Sequence, residues 1–431
     1  MRPESIITAD AAKKLPAQSF YIKVESLAFW FWFINAIEPS LTFLFFQSSP
    51  ALGTLVGCLP ATGFALFLLS SIFVSKRLKR LEILQPMASK MLLALIIWAG
   101  ITLLWTSASP LFSAFGYWAS LAINIFVVLL LLYIGDVERV APSSLRGYVW
   151  GGLVFALIAL LLSPMTSDGR LGNEEFFHPN NIGNNMAIIS LCAIHLALQS
   201  KERIAERQRY VLIIIVLLFT LLKSLSKTSI ACFLLSGLVY VGCSKISFRK
   251  KINILLLTSG VVAISAGRLS SYLDRYLNEQ QGGQALTTAT GRTEIWEMTW
   301  DMIRENPIWG YGFQSYRDIA DQIIDLRLVH PHNELLNIWV NLGFIGLLLG
   351  VLTYISYFWL VKKALKAHLP QAPLGLALFV YSVVRGLTEA SIPDPIVYRT
   401  ALMMLMIGWL SQVNQLTFKP RKSNAIFKLR R

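Results

Sequence analysis

Residues 328–360 read LVHPHNELLNIWVNLGFIGLLLGVLTYISYFWL. A helix needs an apolar run of about 20 residues to cross a bilayer core, and this run meets that length. It opens on two histidines, a proline, an asparagine and a glutamate, which are costly to place near lipid unless something uses them. The same kind of apolar run recurs along the chain. Of its 431 residues 55% are hydrophobic and 15% charged, with a mean hydropathy of +0.56. A soluble protein would carry charge nearer ~25%. The sequence therefore predicts an all-α fold, a polytopic membrane helical bundle of about 12 transmembrane helices, with spans near 27–46, 51–74, 91–107, 113–134, 147–163, 182–199, 210–222, 228–243, 252–267, 333–360, 371–390 and 396–414. Residues 1–26 are polar and give no sign of a cleavable signal peptide.

The net charge of +15 could suggest nucleic acid, but its placement argues otherwise. With the N-terminus in the cytoplasm, the inner segments hold 28 basic residues. The short outer loops hold four, namely Arg170, Lys223, Lys227 and Arg399. That asymmetry follows the positive-inside rule and accounts for the high pI with no nucleic-acid partner. The expected organisation is transmembrane helices 1–9 over residues 1–267, one large helical periplasmic loop over 268–332, helices 10–12 over 333–414, and a basic cytoplasmic tail over 415–431. The four cysteines fall in or beside apolar runs and match neither a disulfide framework nor a metal-ligand set. They read as small buried hydrophobes.

The large loop has structure of its own. In GRTEIWEMTWDMIRENP (291–307), Ile295, Met298, Met302 and Ile303 share one helical face and Trp296 and Trp300 another, and Asn306-Pro307 ends the helix ahead of Gly310 and Gly312. A second helical stretch begins at Tyr316 and sets Asp318, Asp321 and Asp325 along one face, which reads as a solvated acidic face rather than a metal site. No DxD pair lies on the outer side, which argues against a metal-dependent glycosyltransferase, so no metal is expected. No internal repeat is visible, which counts against a repeat-built transporter.

Arg170, Lys227, Arg292 and Arg385 are cations on a side the topology rule otherwise depletes. Such a cluster at a lipid–water boundary suits a lipid-borne phosphate. Arg385 and Glu389 stand four apart, so they either serve a site or simply pair with each other. Asn333 can cap the following helix. His332 can take a proton near neutral pH, or it can be an interfacial cap residue, and His330 competes for the same role. Glu38, beside Asn35, is a charge inside the first span that this reading does not explain.

GRTEIWEMTWDMIRENPIWGYGFQSY (291–316) followed by HPHNELLNIWVNLGFIGLLLG (330–350) resembles the signature region of the O-antigen ligase and polymerase superfamily: a GR…W…P…G-x-G pattern in a large periplasmic loop, then HN-x-x-L opening the next span ahead of a GxxG. The resemblance implies a glycosyltransferase of the bacterial inner membrane, with its active site facing the periplasm. Such an enzyme moves a glycan from undecaprenyl pyrophosphate to the lipid A–core in lipopolysaccharide biosynthesis, with inversion and with no metal or other cofactor. It further implies His332 as the group that activates the acceptor hydroxyl and Arg292 as a pyrophosphate ligand. Lys227 falls where many relatives have arginine, and Arg170 falls in the corresponding loop. His330, Asn333 and Glu389 are supporting residues in this reading. Fixed cations would stabilise the leaving pyrophosphate in a metal ion's place, and cations around a histidine would keep it neutral. Alternatives are an O-antigen polymerase, an O-linked protein oligosaccharyltransferase and, from another class, a flippase or transporter. A flippase should carry charges at mid-membrane on several helices, whereas the candidates here gather at the outer edge.

Overall fold

The computed structural model describes residues 23–46, 50–75, 84–166, 169–173, 177–200, 204–247, 292–324, 330–390 and 397–414, with positions 249, 251–253, 256 and 260. Among them the helices are α1 (Val24–Phe45), α2 (Pro50–Ser75), α3 (Met87–Thr102), α4 (Leu111–Ile134), α5 (Val137–Leu162), α6 (Pro179–Gln199), α7 (Ile204–Lys223), α8 (Lys227–Cys243), α9 (Arg292–Glu305), α10 (Tyr316–Ile324), α11 (Glu334–Lys366), α12 (Ala372–Gly386) and α13 (Val397–Leu410). The described residues form no strand, only an isolated bridge between Met165 and Leu171. The described residues are helical, as the sequence predicts. Five helices are long and apolar enough to cross a membrane (α1, α4, α5, α6 and α11), and large apolar side chains such as Phe45, Leu161 and Leu212 face outward. The chain is a multi-pass membrane protein. The ninth expected span, most of the 268–332 loop before Arg292, and the 415–431 tail lie outside the described residues.

Several boundaries differ from the sequence expectation. Helix α5 begins at Val137 rather than near 147, because Asp136 Oδ1 accepts the Glu138 N–H at 3.1 Å and caps it, and Val140, Ala141 and Leu145 are buried. Helix α3 begins and ends some residues earlier than expected, after Pro86. Arg399, taken as an outer-loop residue, is buried in α13, where its Nη1 donates to the Ala390 carbonyl at 3.0 Å. Cys192 and Cys232 are buried, Cys58 is half-buried, and Cys243, expected to be buried, is exposed at the end of α8. Glu38 accepts from Thr42 on its own helix at 3.4 Å and lies against Gly57 of α2, where a Cβ would come within 2.8 Å of its carboxylate.

Without a hydrophobic driving force between helices in lipid, small residues decide how closely they pack. Helix α1 packs chiefly on α5. A Cβ at Gly147 or Gly151 of α5 would fall 2.0 Å and 2.4 Å from the carbonyls of Phe29 and Phe33. Elsewhere α2 packs on α4, α3 on α11, α8 on α12, and α6 on α7.

Helix α11 is broken at Gly343, whose φ of 67° and ψ of −172° lie in a region essentially reserved for glycine. A break frees backbone groups that the membrane cannot satisfy. The segment after α9 takes them up. Tyr311 N–H donates to the Val340 carbonyl at 2.9 Å, Gly312 N–H to Asn341 at 2.8 Å, and Phe344 N–H to Pro307 at 2.9 Å. The Leu342 carbonyl is taken by Trp98 Nε1 of α3 at 2.9 Å. The same segment is bound to the end of α3: Phe313 N–H donates to Thr102 Oγ1 at 3.1 Å and Thr106 Oγ1 to the Phe313 carbonyl at 2.8 Å. Residues 307–313 thus form a strap through the broken helix. Replacing Trp98 with phenylalanine strands the Leu342 carbonyl. The expected outcome is a loss of about 1–2 kcal/mol, read as a lower unfolding temperature in detergent.

Candidate active site

Four segments distant in sequence meet at Glu389. This residue lies just past α12, with its side chain only 6% exposed. His332 Nδ1 lies 3.3 Å and His330 Nε2 3.4 Å from its Oε2. Its Oε1 faces Asn180 Nδ2 at 3.3 Å and Arg292 Nη2 at 3.9 Å. Arg170 joins through Asn180, donating from Nη2 to the amide oxygen at 2.6 Å.

Local structure explains how each group arrives. Asn333 caps α11, its Oδ1 accepting the Leu336 N–H at 3.1 Å, so the HPHN segment ends where the helix starts. His332 itself sits at a φ of 51°, a left-handed conformation uncommon for a residue other than glycine and often found at functional sites. The Pro331 carbonyl is held by Trp296 Nε1 of α9 at 2.9 Å, which ties the histidine loop to the helix that begins with Arg292. The turn between α7 and α8 and the start of α8 serve two cations: the Ser224 carbonyl accepts from Arg170 Nε at 3.2 Å, and Ser229 Oγ of α8 accepts from Arg385 Nη1 at 3.2 Å. Lys227, the first residue of α8, lies within electrostatic reach of Arg170.

The geometry bears on two sequence readings. The four-residue spacing of Arg385 and Glu389 does not produce an ion pair. Helix α12 stops at Gly386, Glu389 turns to the histidines and Arg292, and Arg385, 1% exposed, donates to Ser229 instead. The second reading left His330 and His332 open as rivals. Burial on its own would raise the Glu389 carboxyl, but the His332 hydrogen bond, Arg385 and His330 overcome it and hold the group well below the usual carboxylate range. An ionised carboxylate only accepts, so His332 Nδ1 carries a proton and donates it. In the neutral ring that leaves the lone pair on Nε2. His330 differs. Its Nδ1 accepts the His332 backbone N–H at 3.1 Å, so its proton sits on Nε2, facing Glu389. Desolvation pushes His330 down to about 3, with Glu389 pulling the other way and His332, Arg385 and Arg399 adding to the drop. The ring keeps 26% of its surface open, and it stays neutral near pH 7. His330 has no free lone pair, whereas His332 has one, on a side chain 30% exposed.

The His330, His332 and Glu389 ligand atoms lie within 4.8 Å of one another, close enough for a metal ion to bridge. The His330 tautomer opposes this, because Nε2 would have to lose the proton that the His332 N–H forces onto it. Among the acidic residues of α10, Asp318 accepts the Ser109 N–H at 2.9 Å and Asp321 is exposed, while Asp325 lies outside the described residues.

Sequence reasoning missed Asn180, Ser229 and Glu334. Glu334 is 2% exposed and accepts from Tyr354 Oη at 2.7 Å. The asparagine run after His178 was visible, but nothing in it singled out the second residue of α6.

Residues 212–351 match the family model described as O-Antigen ligase. That region, about a third of the chain, is similar to the O-antigen ligase family. The match takes in Lys227, Arg292, His330, His332 and Asn333, while Arg170, Asn180, Arg385 and Glu389 lie outside it. Among curated proteins, the chain is 26% identical over 251 residues to one named Putative polysaccharide ligase from Rickettsia conorii, covering 53% of this chain and 59% of that protein. It is 26% identical over 254 residues to a protein of the same name from Rickettsia felis, covering 53% and 60%. A third, from Rickettsia prowazekii, is 31% identical over 158 residues, covering 33% and 38%. The chain therefore spans less than two thirds of the length of the curated relatives it matches.

Proposed function

We propose that this protein is an O-antigen ligase, which transfers a glycan from undecaprenyl pyrophosphate to the sugar of a lipid A–core acceptor at the periplasmic face of the bacterial inner membrane, a reading supported by the similarity of residues 212–351 to that family. The reading rests on one observation: Glu389 Oε2 takes both histidines and leaves the Nε2 lone pair of His332 as the free base among cations. In the proposed reaction that lone pair removes the proton of the acceptor hydroxyl as the oxygen attacks the anomeric carbon. The anomeric C–O bond breaks on the opposite face, and its electron pair leaves with the pyrophosphate, which inverts the configuration. Arg292 supplies a bidentate fork and Arg170 its Nη1 for phosphate oxygens, Lys227 supplies a point charge, and Arg385 adds a buried positive field. These four cations outnumber the Glu389 charge and do the work a divalent ion does elsewhere, so the reaction is proposed to be metal-independent.

Arg292→Ala is expected to cut transfer by about 10²–10³-fold, measured with purified lipid-linked donor and lipid A–core in a chelating buffer. Wild-type activity that vanishes with chelator would overturn the metal-free reading. Deleting the gene separates ligase from polymerase. A ligase deletion leaves long glycan on the carrier and bare core, whereas a core bearing a single repeat means polymerase.

A further inference from the structure

The amide of Asn180 stands between a cation and a carboxylate, and its two ends face different partners. Arg170 can only donate, so the amide oxygen must face it, and it does at 2.6 Å. Ionised Glu389 can only accept, so the amide nitrogen must face it, at 3.3 Å. Only a side-chain amide offers an acceptor and a donor on opposite sides of so short a group. The amide is itself fixed: Asn180 is the second residue of α6, its backbone N–H donates to His178 Nδ1 at 3.2 Å, and Pro179 precedes it. Remove the amide, and Arg170 and Glu389 can collapse into a direct ion pair. The guanidinium would then be lost to a phosphate and the carboxylate turned from the histidine.

We propose that Asn180 is a positioning residue that keeps Arg170 and Glu389 apart and in register, so that one stays available to a phosphate and the other holds His332 in its base tautomer. The proposal rests on the reading of His332 as base. Arg170 spends Nε on Ser224 and Nη2 on Asn180, and among the described residues Nη1 has no protein partner, so it remains for a phosphoryl oxygen. Glu389 spends Oε1 on Asn180 and Arg292 and keeps Oε2 for the histidines. One amide thus links the leaving-group side of the site to the acceptor side.

The charged and titratable groups around His332 are Glu389 beyond α12, His330 in its own loop, Arg292 on α9, Arg385 on α12, Glu334 on α11 and Arg399 on α13, with Arg170 ahead of α6 and Lys227 on α8. Asn180→Asp adds a negative charge to this set without changing shape. An added negative charge beside the site favours protonated groups, so the acid limb of the pH–rate profile moves to higher pH. Asn180→Ala adds no charge. It is expected to lower kcat about tenfold, the low end of what outer-shell partners typically contribute, and to raise the donor KM as Arg170 loosens. Both variants, with His332→Ala alongside, are assayed across pH with purified undecaprenyl pyrophosphate-linked glycan and lipid A–core. A shifted limb in Asn180→Asp and the paired kcat and KM change in Asn180→Ala support the proposal. An inactive His332→Ala with both Asn180 variants unchanged overturns the amide bridge alone, and an active His332→Ala overturns the base reading beneath it. If Asn180→Asp fails to insert, Asn180→Ala decides by itself.

Discussion

An alanine at position 332 is expected to abolish the proposed glycan transfer while the protein still inserts and purifies. A positioned general base contributes about 10²–10⁴-fold, and His332 holds the free imidazole lone pair facing away from Glu389. The neighbouring ring is the internal control. His330→Ala removes a donor to Glu389 and the acceptor of the His332 N–H, yet takes away no base. It is expected to keep activity at least about tenfold above His332→Ala, consistent with an outer-shell role. A dead His330 variant beside an active His332 variant would reverse the assignment. The pH profile carries the same logic. Glu389 is held well below the usual carboxylate range and stays ionised through mildly acidic pH, and His330 is already neutral there. An acid limb in the profile therefore belongs to neither Glu389 nor His330.

Gly343→Ala is expected to be the most damaging change away from the charged cluster. The backbone there adopts a conformation that costs other residues about 1–3 kcal/mol. The added methyl would also lie 2.0 Å from the Ile308 carbonyl and 2.6 Å from Trp309 backbone. Overpacking of that kind costs about another 1–3 kcal/mol. The strap cannot retreat without giving up its hydrogen bonds at Val340, Asn341 and Phe344. The measurements are the unfolding midpoint in detergent and the yield of inserted protein; a variant with unchanged midpoint would show that the strap yields cheaply.

The parts of this molecule written in local order were legible in its sequence. The helix of GRTEIWEMTWDMIRENP is there with its Met302–Ile303 face buried and Trp296 reaching the Pro331 carbonyl. Asn333 caps its helix as its position suggested. What depended on folding together was not legible. The Arg385–Glu389 spacing promised a pair only for as long as the helix lasted, and it ends at Gly386. The feature that distinguishes His330 from His332 is a single backbone N–H, which no side-chain pattern reports. Asn180 stands 209 positions from the carboxylate it donates to, so neither spacing nor periodicity could join them. Arg399 looked like a loop cation because charge alone cannot tell an exposed position from one folded into the interior.

Under the proposed function, the strap through α11 has a consequence for how the two substrates are met. Arg292 begins the helix that leads into the strap, and His332 lies two residues before the helix that the strap pierces. Their spacing is therefore set by main-chain bonds on both sides and by Trp296, rather than by the reach of two long side chains. The two halves of the reaction, leaving group and nucleophile, are measured against one rigid gauge. In the proposed reaction, a donor whose pyrophosphate and anomeric carbon do not fit that gauge finds no second setting to adopt, and selectivity for the linkage would follow from the frame before any sugar contact is made.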